Sequence, residues 1–239
     1  MITIGILQCG HAPAALVERH GDYDTMFARL LGDEEFAFRT WAVVDGALPG
    51  DIAAADGWLI TGSRHAVYED HPWLAPLEDF LRAAYAAAVP IVGVCFGHQV
   101  LAKALGGRVE KFAGGWSVGR TVYARYGHPA TRLLAFHQDQ VVEIPADATV
   151  TGGTPFCPYA FLAYGERAIS MQPHPEFSDA YVQDLVSARA EVLPAEQVAA
   201  AREQAGAPLD TVAVAEDIRA FYRRALATSA RAGADSAAR

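Results

Sequence analysis

The sequence predicts an α/β fold in which a mostly parallel central sheet is covered by helices on both faces. Three observations predict it. Strand-like apolar runs alternate with helix-like stretches through the N-terminal half, the order that builds parallel strand–helix–strand units. The longest amphipathic stretch, Pro72 to Ala88, leads straight into the apolar run Val89 to Val94. A chain of 239 residues with 52% hydrophobic content can also bury one full core.

Ile2 to Leu7 reads as the first strand and ends in the loop Gln8-Cys9-Gly10-His11. A short helix around Tyr23 to Leu31 follows, then a strand near Phe38 to Val44. Asp51 to Asp56 is a brief connection before the strand Trp58 to Thr61. Pro72 to Ala88 carries apolar residues at helical spacing, with Pro72 suited to an opening turn, and feeds the strand Val89 to Val94. From Gly107 to Tyr164 the pattern shortens into strands such as Ser117 to Arg125, Val141 to Ile144 and Tyr159 to Tyr164. Glycine- and proline-rich turns separate them, which predicts a strand-rich extension of the sheet. Ala168 to Met171 returns as a core strand. Beyond Ser178, the alanine-rich stretches to Ala190, from Glu196 to Gln204 and from Val212 to Ala227 read as helices. One domain is expected over 1–230, with 231–239 as a frayed tail.

Composition narrows the function classes. A net charge of −9, with 19 basic residues scattered rather than clustered, argues against a nucleic-acid partner. No apolar stretch reaches membrane-spanning length, and Met1 to Leu7 lacks the basic region and cleavage site of a secretory signal, so the cytoplasm is the expected location. Cys9, Cys95 and Cys157 are too few and too widely spaced for a disulfide framework or a zinc knuckle. The stretch His65 to His71 fits no zinc spacing, and a solvated loop is the expectation there, with no metal assigned.

The segment Ile91-Val92-Gly93-Val94-Cys95-Phe96-Gly97-His98-Gln99 stands apart. An apolar strand ends abruptly, and helix periodicity begins with Val100, Leu101, Ala104 and Leu105. Gly93 and Gly97 bracket Cys95 as glycines bracket the serine of a nucleophile elbow. Such a turn strains the backbone, exposes the sulfur above the sheet edge and sets it near a helix N-terminus, where the dipole favours thiolate. A small buried hydrophobe is the competing reading of Cys95 taken alone.

Far down the chain, Met171-Gln172-Pro173-His174-Pro175-Glu176-Phe177 places a histidine and a carboxylate two residues apart between prolines that favour extended backbone. Residues i and i+2 of an extended segment point the same way. Glu176 can therefore orient the imidazole while His174 faces a nucleophile as base and acid.

Together these two segments resemble the Cys-His-Glu signature of the class I glutamine amidotransferases, the triad glutaminase domains of GMP synthase and anthranilate synthase. The resemblance extends to Leu59-Ile60-Thr61-Gly62-Ser63, similar to the family's oxyanion strand and loop. It also extends to Phe136-His137-Gln138-Asp139-Gln140-Val141, similar to its His-Gln-Asp substrate-side loop, and so covers about residues 1 to 180. It implies a flavodoxin-like three-layer sandwich with Cys95, His174 and Glu176 as catalytic residues. It further implies oxyanion donors at the backbone N–H groups of Gly62 and Phe96, and substrate contacts from Gln99, His137, Gln138 and Asp139. Alone, Gly62 would read as a turn glycine and Gln99 as a polar residue in a first helical turn.

The implied reaction is cleavage of the γ-amide of glutamine, or of a related γ-glutamyl bond, through a Cys95 thioester. No cofactor is required, because the thioester carries the intermediate. The ligand is glutamine or a γ-glutamyl small molecule. Family members usually pass ammonia to a synthase, and the chain shows no acceptor domain, so a separate synthase subunit is one candidate partner. A stand-alone γ-glutamyl peptidase is the alternative within the enzyme class. An inactive binding or regulatory module on the same fold is the alternative outside it.

Overall fold

A computed structural model describes residues 1–237, with side chains through residue 228. Its central sheet has nine strands in the order β2-β1-β3-β4-β11-β10-β9-β6-β7. Five of them, β2 (Phe36–Trp41), β1 (Ile2–Leu7), β3 (Gly57–Ile60), β4 (Ile91–Val94) and β11 (Ala168–Met171), pair in parallel. That spatial order is the flavodoxin-like one, which brings its ligand sites to the carboxyl ends of the strands. The remaining four, β10 (Phe161–Tyr164), β9 (Thr149–Gly153), β6 (Ser117–Arg125) and β7 (Thr131–His137), extend it antiparallel. A separate two-stranded ladder joins β5 (Arg108–Lys111) to β8 (Asp139–Glu143).

Strands β3 and β4 are buried at every residue, as parallel strands covered on both faces must be. Alternate side chains feed opposite layers. Trp58, Ile60 and Ile91 pack with Leu77, Leu81, Val100 and Leu101 from α3 (Leu74–Ala86) and α4 (Phe96–Ala104). Leu59, Val92 and Val94 pack on the other face with Phe27, Leu31, Ile218 and Tyr222 from α2 (Tyr23–Leu31) and α7 (Thr211–Ala237). Helix α7 is tied in by polar contacts as well. Tyr222 Oη donates to the Trp58 carbonyl at 2.9 Å, and Arg219 donates to the last carbonyls of α2 at Leu30 and Leu31. A third apolar cluster joins α5 (Asp179–Ala188) and α6 (Ala195–Glu203) to Val118 and Leu134 of the β6/β7 hairpin.

Several expectations need correction. The second strand is Phe36–Trp41 rather than Phe38 to Val44, because Val43–Asp45 forms a 3-10 turn ended by Gly46 at φ 88°. Helix α1 (Ala14–His20) has seven residues and no side-chain cap, and its sequence gave no signal. Strands β5, β7 and β9 were not anticipated; β7 in particular takes in Phe136 and His137, expected in a loop. The expected tail, 231–239, falls where α7 is assigned through Ala237, and 238–239 lie outside the described residues. No helix among the described residues is long and apolar enough to cross a membrane.

Candidate active site

Strand β4 ends at Val94, helix α4 begins at Phe96, and the single residue between them is Cys95, at φ 54° and ψ −105°. Only Ala88 shares a positive φ among the described non-glycine residues. Such backbone is costly and persists only where its surroundings enforce it. Here the Cys95 N–H donates to Met171 O of β11 at 2.8 Å, and its carbonyl accepts from Gln99 N at 3.1 Å. The flanking glycines are steric necessities. A Cβ on Gly93 would lie 2.5 Å from Gly97 O, and one on Gly97 would lie 2.3 Å from Ile60 O. Gly97→Ala must therefore displace backbone, and we expect it to lower stability by about 1–3 kcal/mol, read as a loss of melting temperature; an unchanged melting curve would contradict the tight elbow.

Cys95 is 6% exposed, so its sulfur faces a cavity rather than standing free above the sheet. The cavity holds about 280 Å³ and is lined by Cys95, His174, Gln99, His137, Gln138 and Asp139 together. The other two thiols are inert by burial, which raises the Cys9 pKa far above the ordinary range and pushes Cys157 up to about 12. At neutral pH Cys95 should therefore alkylate well ahead of both. Peptide mapping checks this, and equal rates at the three positions would remove the distinction.

His174 is fixed from every side. Its N–H donates to Leu134 O of β7 at 2.8 Å, an isolated bridge that ties the extended segment to the β6/β7 hairpin. Its Nδ1 lies 2.6 Å from Glu176 Oε1, so the i, i+2 relation does put both groups on one line. Its ring stacks on Phe177 at 3.9 Å and 4°. Burial favours the neutral ring, but the Glu176 charge, followed by Cys95, outweighs burial and raises the His174 pKa to about 10. With Nδ1 committed to Glu176, Nε2 is the atom left for Cys95.

Gly62 follows β3 and abuts both partners. A Cβ there would sit 3.1 Å from His174 Cε1 and 3.8 Å from Cys95 Cβ. Close approach, rather than backbone conformation, is what disfavours a side chain here, since His174 would have to shift and Gly62 is not among the positive-φ glycines. Thr61 pins this loop: its N–H donates to Leu7 O at 3.1 Å, and its hydroxyl oxygen accepts from Cys9 N at 3.0 Å. Among the described residues, neither Gly62 N–H nor Phe96 N–H is taken up by a protein acceptor.

The four residues expected to touch substrate do border the cavity, though much of their polarity is used internally. Gln99 Nε2 donates to Asp139 O at 2.9 Å and to Gln172 Oε1 at 3.0 Å, which leaves its amide oxygen. Gln138 Nε2 donates to Phe112 O at 3.3 Å, and Asp139 Oδ2 accepts from Tyr68 Oη at 3.0 Å. His137 Nδ1 lies 3.1 Å from Asp139 O, its Nε2 is buried without a partner, and burial lowers its pKa to about 4. Burial thus favours the neutral ring at His137, whereas the Glu176 charge favours the protonated ring at His174.

Two sets of residues escaped the sequence reading. Tyr23, Phe177 and Tyr181 wall in the His174–Glu176 pair, with Phe177 4.6 Å from the Tyr181 ring and 6.0 Å from that of Tyr23. Phe177 follows directly on the His-Pro-Glu triplet, a signal in the sequence; Tyr181, on α5, and Tyr23 carry none. Arg64, Lys111 and Arg189 line the cavity, and none forms an ion pair among the described residues.

Comparison with known proteins agrees with this arrangement. A family model described as Glutamine amidotransferase class-I matches residues 50–183, more than half of the chain. Gamma-glutamyl peptidase 4 of Arabidopsis thaliana is 29% identical over 182 residues, covering 70% of this chain and 72% of that protein. A glutamine-hydrolyzing GMP synthase of Burkholderia mallei is 32% identical over 187 residues, covering 64% of this chain but 33% of the synthase. The crystal structure of a glutamine amidotransferase from Methylobacillus flagellatus shares the fold, with a TM-score of 0.72 at 22% identity over 94% of both chains. With the match spanning Gly62, Cys95 and the His174-Pro175-Glu176 segment, the chain belongs to the class I glutamine amidotransferase family.

Proposed function

We propose that the protein hydrolyses a γ-glutamyl amide bond through a covalent thioester on Cys95, with His174 as acid and base and Glu176 as the group that orients it. The observation that carries this reading is the convergence on one cavity of a strained cysteine and of His174 held by the buried Glu176, with Gly62 packed against both and the Gly62 and Phe96 N–H groups left without a protein acceptor among the described residues. Cys95 sulfur attacks the γ-carbonyl carbon, and the resulting oxyanion is met by Gly62 N–H and Phe96 N–H, preorganised donors of the kind such charge requires. As the C–N bond breaks, His174 delivers its proton to the leaving nitrogen. Water then attacks the thioester while His174 takes its proton, and glutamate leaves as the sulfur recovers its electron pair. The cavity-lining cations Arg64, Lys111 and Arg189 suit the α-carboxylate of a γ-glutamyl group.

Among γ-glutamyl bonds we favour those of small peptides, cleaved without a synthase. The pinned Thr61-Gly62 loop supports this, because a glutaminase that waits for a partner has its oxyanion loop reorganised by the interface. The γ-glutamyl peptidase relative also matches over most of both chains, whereas the synthase relative matches over a third of its length. Three free thiols suit a reducing, cytoplasmic location. Assay of the purified chain against glutamine and a panel of γ-glutamyl peptides tests this. Turnover of peptides by the chain alone is expected; silence relieved only by an added synthase would overturn the preference.

A further inference from the structure

Away from Cys95, three side chains of one loop converge on a single point. Glu69 Oε2 lies 3.0 Å from His65 Nδ1 and 2.6 Å from His71 Nε2, and the three donor atoms fall within 4.8 Å of one another. The sequence spacing hid this, because the chain turns back between Ala66 and Glu69, where Glu69 N–H donates to Ala66 O at 3.2 Å. The loop is built rather than free. Val67 is fully buried, His65 N–H donates to Ser63 Oγ at 3.1 Å, the two imidazoles pack edge to face at 4.2 Å, and His71 stacks on Trp73 at 5.4 Å and 9°.

Two imidazoles and one carboxylate form the three-ligand set that holds Zn²⁺ tetrahedrally with a fourth position open. We propose that His65, Glu69 and His71 form a Zn²⁺ site at the rim of the active-site cavity. Both His65 and Glu69 line that cavity, and Ser63, which holds His65, is the neighbour of Gly62. An ion there would take Zn–N distances of about 2.0–2.1 Å and a Zn–O distance of about 2.0–2.2 Å. On binding, each ring would coordinate through the nitrogen that now faces Glu69. The bound ion would turn a carboxylate-bearing rim positive and leave one coordination position for water or an anionic group of the substrate.

The test uses the full chain carrying Cys95→Ser, so that no thiol near His174 competes for the metal. Titrated with Zn²⁺ against a chromophoric chelator, it should take up one equivalent. Loss of an outer partner alone weakens metal binding by about 10–100-fold, so His71→Ala and Glu69→Gln in that background should each weaken it at least tenfold. A measurement free of loop substitutions accompanies them: Zn²⁺ should protect His65 and His71 from diethylpyrocarbonate, mapped by peptide. No stoichiometric uptake, affinity unaltered in both variants, or equal modification with and without Zn²⁺ would overturn the site.

Discussion

Cys95→Ala is expected to abolish turnover, by at least about ten-thousand-fold in kcat, while leaving the protein folded. The size follows from the role. Without sulfur no thioester forms, and what remains is binding and oxyanion stabilisation of a reaction that lacks its nucleophile. The fold survives because the substitution removes one atom facing a cavity, and the positive φ is enforced by the Met171 hydrogen bond and the Gly93 and Gly97 packing rather than by the sulfur. Steady-state kinetics with a melting curve checks both halves. Residual activity within about tenfold of the parent would remove Cys95 from the mechanism.

His174→Ala is expected to cost more than Glu176→Gln, since the imidazole moves the protons and the carboxylate holds it in place. General acid–base catalysis contributes about 10²–10⁴-fold, which sets the scale for the histidine. The two variants also differ in pH dependence. In the parent, the His174 proton is held from the ordinary 6.5 up to about 10, so the acid that serves the leaving nitrogen persists over that window and is lost as pH rises through the raised value. Glu176→Gln removes the strongest of the influences that raise it, leaving burial, which lowers it, opposed only by the weaker influence of Cys95. The alkaline limb of kcat/KM should therefore move to lower pH in Glu176→Gln, measured on folded protein. A limb that stays in place would mean that Glu176 does not hold the charge.

What the sequence made legible was local. The elbow could be read because strand, glycine, cysteine, glycine and helix are contiguous, and the spacing alone encodes the tight turn later seen in the contact of Gly97 with Ile60. The His174–Glu176 pair could be read because extended backbone has a period of two. Four of the five parallel strands announced themselves as apolar runs, whereas the outer one, Phe36–Trp41, carries exposed Arg39 and Thr40 and was expected two residues late. The antiparallel extension was harder: β9 ends in Gly152-Gly153, which looks like a turn, yet a Cβ on Gly152 would lie 2.6 Å from Ala124 O of β6 and one on Gly153 2.3 Å from Pro158 O, so the glycines are there for close backbone approach.

Contacts set by topology left no such trace. Tyr23 reaches the His174 neighbourhood from a helix at the other end of the chain, and Arg64, Lys111 and Arg189 line one cavity only because separate elements border it. His65, Glu69 and His71 have the opposite history. They are near in sequence, but their convergence depends on a turn whose direction the residue pattern does not encode.

The central claim is a covalent one, and intact-protein mass spectrometry after rapid acid quench during turnover of a γ-glutamyl substrate tests it most directly. The expected result is a γ-glutamyl adduct that maps to the peptide containing Cys95, is absent from Cys95→Ala, and disappears as substrate is exhausted. Turnover at full rate with no adduct, or an adduct carried by Cys9 or Cys157, would contradict it.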